Sequence, residues 1–176
     1  KGYEQSKLTL HLFLQIIGKI RLSKTDRKNH WWFITEYIDT NGFTTGPIPY
    51  DEGKESFKIS INVQKHELQV ENTLGDFDIF SIHKGLSVAD FYAKITKILE
   101  KQHIAFSILA KPFDLKNDKN FNQINEIHHY DKDYVFKLWK ILTWISAVFK
   151  EFSGRFYGKT CPVQLYWHSM DLTVTR

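Results

Sequence analysis

Between Phe57 and Gln64 apolar and polar residues alternate without a break. Phe57, Ile59, Ile61 and Val63 stand against Lys58, Ser60, Asn62 and Gln64. A period of two puts one set of side chains on each face of a pleated strand, so this segment reads as a strand buried on one face only. A sheet with one wet face is antiparallel in the ordinary case and needs a layer on its dry face. The flanking sequence extends the pattern. Leu68 and Val70 resume it after a turn near Lys65, and Phe77 to Ile82 supplies another short apolar run after Gly75. Upstream, the aromatic and branched run His30 to Asp39 reads as a strand, followed by a turn at Asn41-Gly42. Thr44 to Tyr50 holds Pro47 and Pro49, which lack the N–H of a central strand, so it is placed at an edge or in an ordered loop. Ala105 to Ala110 reads as a buried strand, Pro162 to His168 alternates again, and Leu172 to Arg176 closes the chain as a strand.

Three segments carry a helical period instead. From Gln5 to about Ser23, Leu12, Phe13, Ile16, Ile17 and Ile20 recur on one side, with Lys7, His11, Gln15, Gly18 and Lys19 mostly on the other. Arg21 falls on the apolar half, where snorkelling from the last turn is the simplest reading; if buried instead, it needs a carboxylate, carbonyl cluster or bound anion, and Asp171 is the expected internal partner. Ser87 followed by Asp90 resembles a capping box, and Val88, Phe91, Ile95, Ile98 and Leu99 then form one stripe ending near Gln102. A third helix runs from Asp131 or Asp133 to about Ser153, stopped at Gly154. Its expected core face is Val135, Leu138, Leu142, Ile145, Phe149 and Phe152, with Trp144 on the outer face. Lys111 to Tyr130 has no period and reads as a mobile loop. The expected class is therefore α+β: a mainly antiparallel sheet of about six to eight strands with three helices packed against it.

Several function classes are not supported. The most apolar stretch, Leu8 to Ile20, is interrupted by Thr9, His11, Gln15, Gly18 and Lys19, short of the roughly 20 apolar residues of a membrane span. Cys161 is the sole cysteine, so no intrachain disulfide or multi-thiolate zinc site is available, and a cytoplasmic setting is expected. His128-His129 would point to opposite sides of an extended chain, and no paired histidines stand at helical spacing; no metal and no cofactor are expected. No nucleophile elbow, phosphate-cradling glycine loop or dinucleotide fingerprint is present, so catalytic residues remain unassigned. Charge is uneven: residues 1–30 carry seven Lys or Arg against two acids, residues 31–130 ten against fourteen, and residues 131–176 seven against four. With an acidic middle and no recognition motif, nucleic acid is not the expected partner.

If the two basic ends meet, they make an electropositive, aromatic-walled cavity suited to an anionic small molecule. Its expected lining is Lys19, Arg21, His30, Trp31, Trp32, Lys150, Arg155, Lys159, Trp167, His168, Asp171 and Arg176. The alternative is a protein interaction module that pairs, with itself or a partner chain, through an exposed edge strand or the Trp144 face.

Four segments occur together here: Gln15-Ile16-Ile17-Gly18-Lys19-Ile20-Arg21-Leu22 after Leu10-His11-Leu12; Asn29-His30-Trp31-Trp32; Thr44-Thr45-Gly46-Pro47-Ile48-Pro49-Tyr50; and Phe149-Lys150-Glu151-Phe152 leading through Gly158-Lys159 to Asp171-Leu172-Thr173-Val174-Thr175-Arg176. In this order they resemble an uncharacterised bacterial family known only as a domain of unknown function. The resemblance implies no activity. It does imply that longer members continue past the point matching Arg176. The expectation is a single domain over residues 1–176, either a short variant or the N-terminal part of a longer protein.

Overall fold

The computed structural model describes residues 2–176. In order it contains α1 (Gly2–Leu22), β1 (Tyr37–Asp39), β2 (Gly42–Thr44), β3 (Ile48–Tyr50), β4 (Glu55–Asn62), β5 (Glu67–Asn72), β6 (Phe77–Ser81), α2 (Val88–Lys101), α3 (Lys132–Gly154), β7 (Gln164–Tyr166) and β8 (Asp171–Thr173). The fold is α+β. Six strands form an antiparallel sheet in the order β1-β2-β4-β5-β6, with β3 pairing on β4, and β7 and β8 form a separate hairpin. A bridge between Glu36 and Leu165 ties that hairpin to the start of β1.

The alternation of β4 sets the layers. Ile59 lies opposite Val70, and Ile61 opposite Leu68, which in turn faces Phe80. These residues form one face. Phe80 meets the Phe91 ring of α2 edge-on at 5.4 Å, and Phe91 stacks on Phe13 of α1 at 4.0 Å, so the helices cover this face. The opposite face carries Lys58, Glu71 and Gln69 with the exposed Phe77 and Ile79. At the β1–β2 hairpin a side chain on Gly42 would come within 1.9 Å of the Ile61 carbonyl oxygen, which is why glycine stands where β2 crosses β4. The helix starts follow the sequence. Ser87 Oγ accepts the Asp90 amide at 3.0 Å, and Asp131 caps α3 through the Tyr134 amide at 2.9 Å.

Four expectations change. First, α1 is enclosed rather than amphipathic, with every residue from Thr9 to Arg21 buried. The β7–β8 hairpin and the loop at Phe113 cover its polar side, and they supply partners as they do so. His11 Nε2 lies 3.0 Å from the Trp167 carbonyl, and the Gln15 amide pairs with both backbone groups of Phe113 at 3.0 and 2.7 Å. The Trp167 and His168 carbonyls, 3.0 and 3.2 Å from His11 Nε2, can only accept, which favours the tautomer with its proton on Nε2.

Second, His30 to Asp39 is a strand only from Tyr37 onward; Asn29–Trp31 is a 3-10 turn with His30 and Trp31 at φ of 58° and 59°. The Phe33 carbonyl is taken by Arg21 Nε and Thr25 Oγ1, each at 2.9 Å, so side chains replace a neighbouring strand. Third, Lys111 to Tyr130 is tied down: Phe121 and Ile124 are buried, and the Val88 and Ala89 amides donate to Ile127 and Ile124 at 3.0 and 3.1 Å. Fourth, Ala105 to Ala110 forms no ladder and is half exposed.

Candidate functional site

Helix α1 delivers two of its three cations, Lys19 and Arg21, into the interior and leaves Lys7 exposed. The Arg21 guanidinium donates from Nε to the Phe33 carbonyl and from Nη1 to the Thr45 carbonyl, and sits 5.5 Å from the centroid of Tyr37. No carboxylate among the described residues pairs with it; the acid whose field reaches it is Glu36, whose carboxyl group is fully buried with neither oxygen hydrogen-bonded to protein. Burial raises the Glu36 pKa well above the carboxylate range, with Arg21 opposing, while burial lowers that of Arg21 against the pull of Tyr37 and Glu36. Asp171 is therefore not the internal partner of Arg21. It is exposed at the start of β8, close enough to His168 to oppose the lowering of that imidazole by burial.

Trp167 lies flat against Gly18, with its indole nitrogen donating to the Ile34 carbonyl at 2.9 Å and the Lys19 ammonium 5.7 Å from its ring. The indole is packed and its N–H satisfied, whereas the Lys19 ammonium has no hydrogen-bond or ion-pair partner among the described residues. His30 and Trp32 rings lie 5.1 Å apart on the adjoining turn, where the His30 carbonyl accepts from the Tyr166 hydroxyl at 2.6 Å. Trp31 points outward, with Arg27 5.7 Å from its ring.

The remaining cations cluster at the far end of α3. Arg155 is exposed and pairs with Glu151, Arg176 donates to the Phe152 carbonyl at 3.1 Å with its guanidinium 3.6 Å from that ring, and Lys159 is exposed. Lys150 alone of the expected set lines the groove of about 470 Å³ between β1, α3 and residues 160–163, together with Ser146, Ser153 and Thr160. Cys161, also on that wall, is buried and accepts the Thr175 amide through Sγ at 3.0 Å.

Helix α3 itself is attached along one side only. Val135, Trp139 and Ser146 are its buried residues, and the Trp139 indole donates to the Asp39 carbonyl at 3.2 Å. One hundred degrees per residue puts Ile141, Trp144, Val148 and Phe152 together on the other side. All four are exposed, Trp144 by 69% and Ile141 by 54%. Phe152, expected in the core, lies on this outer face because the packed side is centred on Val135 and Trp139, nearly a third of a turn away. Lys137 and Lys140 flank the stripe, and neither pairs with a carboxylate among the described residues.

Across residues 1–176 the sequence matches the profile of a family of unknown function, DUF5996. The chain belongs to the DUF5996 family. No curated protein and no solved structure matches it. Among the described residues of this DUF5996 chain, no three His, Cys, Asp or Glu side chains are placed to share a metal ion, and no helix is long and apolar enough to cross a membrane.

The DUF5996 fold thus divides the expected site. Lys19, Arg21 and Trp167 belong to the interior with His168 half-buried beside them; His30, Trp31 and Trp32 cap them; Lys150, Arg155, Lys159 and Arg176 lie along and beyond α3, and Asp171 is at the surface. Sequence reasoning missed Glu36, whose signal was a single acid inside an aromatic and branched run, and it missed that α3 keeps a second apolar face.

Proposed function

We propose that residues 1–176 act as one domain whose α3 is a docking helix for a protein partner. The observation that carries this is the exposed row Ile141, Trp144, Val148 and Phe152. Fully burying such side chains is worth about 1.5–3 kcal/mol each, and Trp is enriched where interfaces concentrate their energy. A partner helix laid along α3 would meet them at helical spacing. Lys137 and Lys140 beside the row select an acidic partner and disfavour a second α3, which would bring like charges together. A reducing compartment such as the cytoplasm suits the free, buried Cys161.

The test is fluorescence anisotropy with a labelled amphipathic helical peptide having Leu on one face and Glu on the other, and with its Lys-for-Glu counterpart. The acidic peptide should bind, weaken as salt is added, and lose affinity on Trp144→Ala. Equal binding of both peptides, or indifference to Trp144→Ala, would count against the reading.

A second reading, anionic small-molecule binding, is favoured by the groove beside Lys150, which places an ammonium next to the hydroxyl-bearing residues Ser146, Ser153 and Thr160. Inorganic phosphate and citrate should then raise the wild-type melting temperature and leave Lys150→Gln unmoved. No shift in the wild type would remove it.

A further inference from the structure

Residues 104–110, Ile-Ala-Phe-Ser-Ile-Leu-Ala, have the composition of a strand and no partner strand. The chain runs here without helix, turn or bend, and its exposure alternates. Ala105, Ser107 and Leu109 are exposed, whereas Phe106, Ile108 and Ala110 are half-buried against the core. Among the described residues, the amides of 105–110 donate to no protein acceptor, and the carbonyls of 104–108 accept from no protein donor. A row of free amides and carbonyls on a straight, apolar segment is a template for another strand. Natural sheets usually blunt such an edge with charge or proline, and this one carries neither.

We infer that residues 104–110 form a dimerisation strand, pairing antiparallel with the same segment of a second copy across a twofold axis at Ser107. The sequence fits itself in that register. Phe106 falls opposite Ile108, Ile104 opposite Ala110 and Ala105 opposite Leu109, so inward residues meet inward residues and outward meet outward. A slip of one residue would mix the faces. The two Phe106–Ile108 pairs are of the aromatic and β-branched kind that stabilises sheets.

Charge points to a second copy as well. The segment has no charged residue, so self-pairing brings no like charges together and offers nothing specific to an acidic or basic partner. Lys111, the first cation beyond it, is already paired with Asp118 at 3.0 Å. This surface is separate from α3, so it can fail or hold independently of the docking reading.

At the axis Ser107 faces its own copy, which makes the test specific. In sedimentation or light scattering over a wide concentration range, the wild-type chain should show a monomer–dimer equilibrium. Ser107→Lys and Ser107→Asp should each be monomeric at the wild-type midpoint, with unchanged circular dichroism. Mixed in equal amounts they should reassociate, as a heterodimer identified by mass. Should either variant lose its fold, Ser107→Cys in a Cys161→Ser background replaces it: an interchain disulfide formed with oxidised glutathione in native protein and not in urea supports the pairing, and its absence in native protein counts against it. A wild type monomeric at millimolar concentration, a dimer that survives both charged variants, or a mixture that stays monomeric would each overturn it. A dimer broken by Trp144→Lys and not by the Ser107 variants would place self-association on α3 instead.

Discussion

Replacing Gly18 by alanine adds one methyl group where the structure has no room for it. An alanine Cβ at this position would lie 2.2 Å from Cδ1, 2.3 Å from Cγ and 2.6 Å from Nε1 of Trp167. Intrinsic propensity favours the change, since Gly to Ala inside a helix is worth about 1 kcal/mol. Against that, forcing an extra methyl into a filled core costs roughly 1–3 kcal/mol. The indole cannot slide away freely, because its nitrogen is bonded to the Ile34 carbonyl at 2.9 Å and the Trp167 carbonyl holds His11 at 3.0 Å. Stretching one of these bonds loses a further 1 kcal/mol or so. Packing therefore outweighs propensity, and Gly18→Ala should destabilise by roughly 1–3 kcal/mol, at about 2–4 °C of melting temperature per kcal/mol. Urea unfolding with an unchanged slope is the assay. Gly154→Ala is the control, since nothing lies within 4 Å of a Cβ there, and it should be neutral or mildly stabilising. Combining Gly18→Ala with Trp167→Leu should cost less than the two single changes added together, because the smaller side chain makes room for the methyl. If Gly18→Ala proves as stable as Gly154→Ala, or the double variant is simply additive, Trp167 does not rest on Gly18.

Arg21→Leu leaves the Thr45 carbonyl without its donor and the Phe33 carbonyl with Thr25 Oγ1 alone, so it should cost roughly 1–3 kcal/mol by urea unfolding, while Asp171→Asn stays within about 0.5 kcal/mol. For Glu36, burial raises the folded pKa; its stabilisation is therefore complete below the ordinary carboxylate value and is lost as pH climbs. Glu36→Gln should thus gain on the wild type between about pH 4.3 and neutrality, and parallel urea midpoints across that range would refute the assignment. His11 is shifted the other way by burial, so its contribution is present above about pH 6.5 and lost as pH falls. The His11 ring carbons in an NMR titration should report a midpoint below that value.

What the sequence makes legible is whatever depends on local period and local caps. The β4 alternation and the Ser87 and Asp131 caps can be read because each is decided within a few residues, whereas the hairpin turn falls one residue earlier than expected, at Thr40-Asn41, with Gly42 already in β2. The α1 environment could not be read that way. His11, Gln15 and Lys19 look solvent-facing until residues about a hundred or more positions away cover them. Phe152 and Trp144 illustrate the converse. Both faces of α3 are apolar, so periodicity alone cannot say which one meets the sheet. The expected ligand constellation rested on the two basic ends meeting, and they do meet, through Trp167 on Gly18. That contact is close packing of the indole on the helix, with its N–H satisfied, while Arg155 and Lys159 remain at the surface.

The enclosure of α1 also sets an order of events for a chain made from its N-terminus. Its first helix emerges early, yet the side that carries Gly18 is sealed only when residue 167 arrives, with the whole sheet and two further helices synthesised in between. Until then Leu10 to Ile20 is an apolar helix with an unfinished coat, and contacts of such long separation make for slow completion. A ribosome-bound or truncated chain lacking the β7–β8 hairpin should therefore present α1 to holding chaperones, and it is this hairpin that ends the exposure.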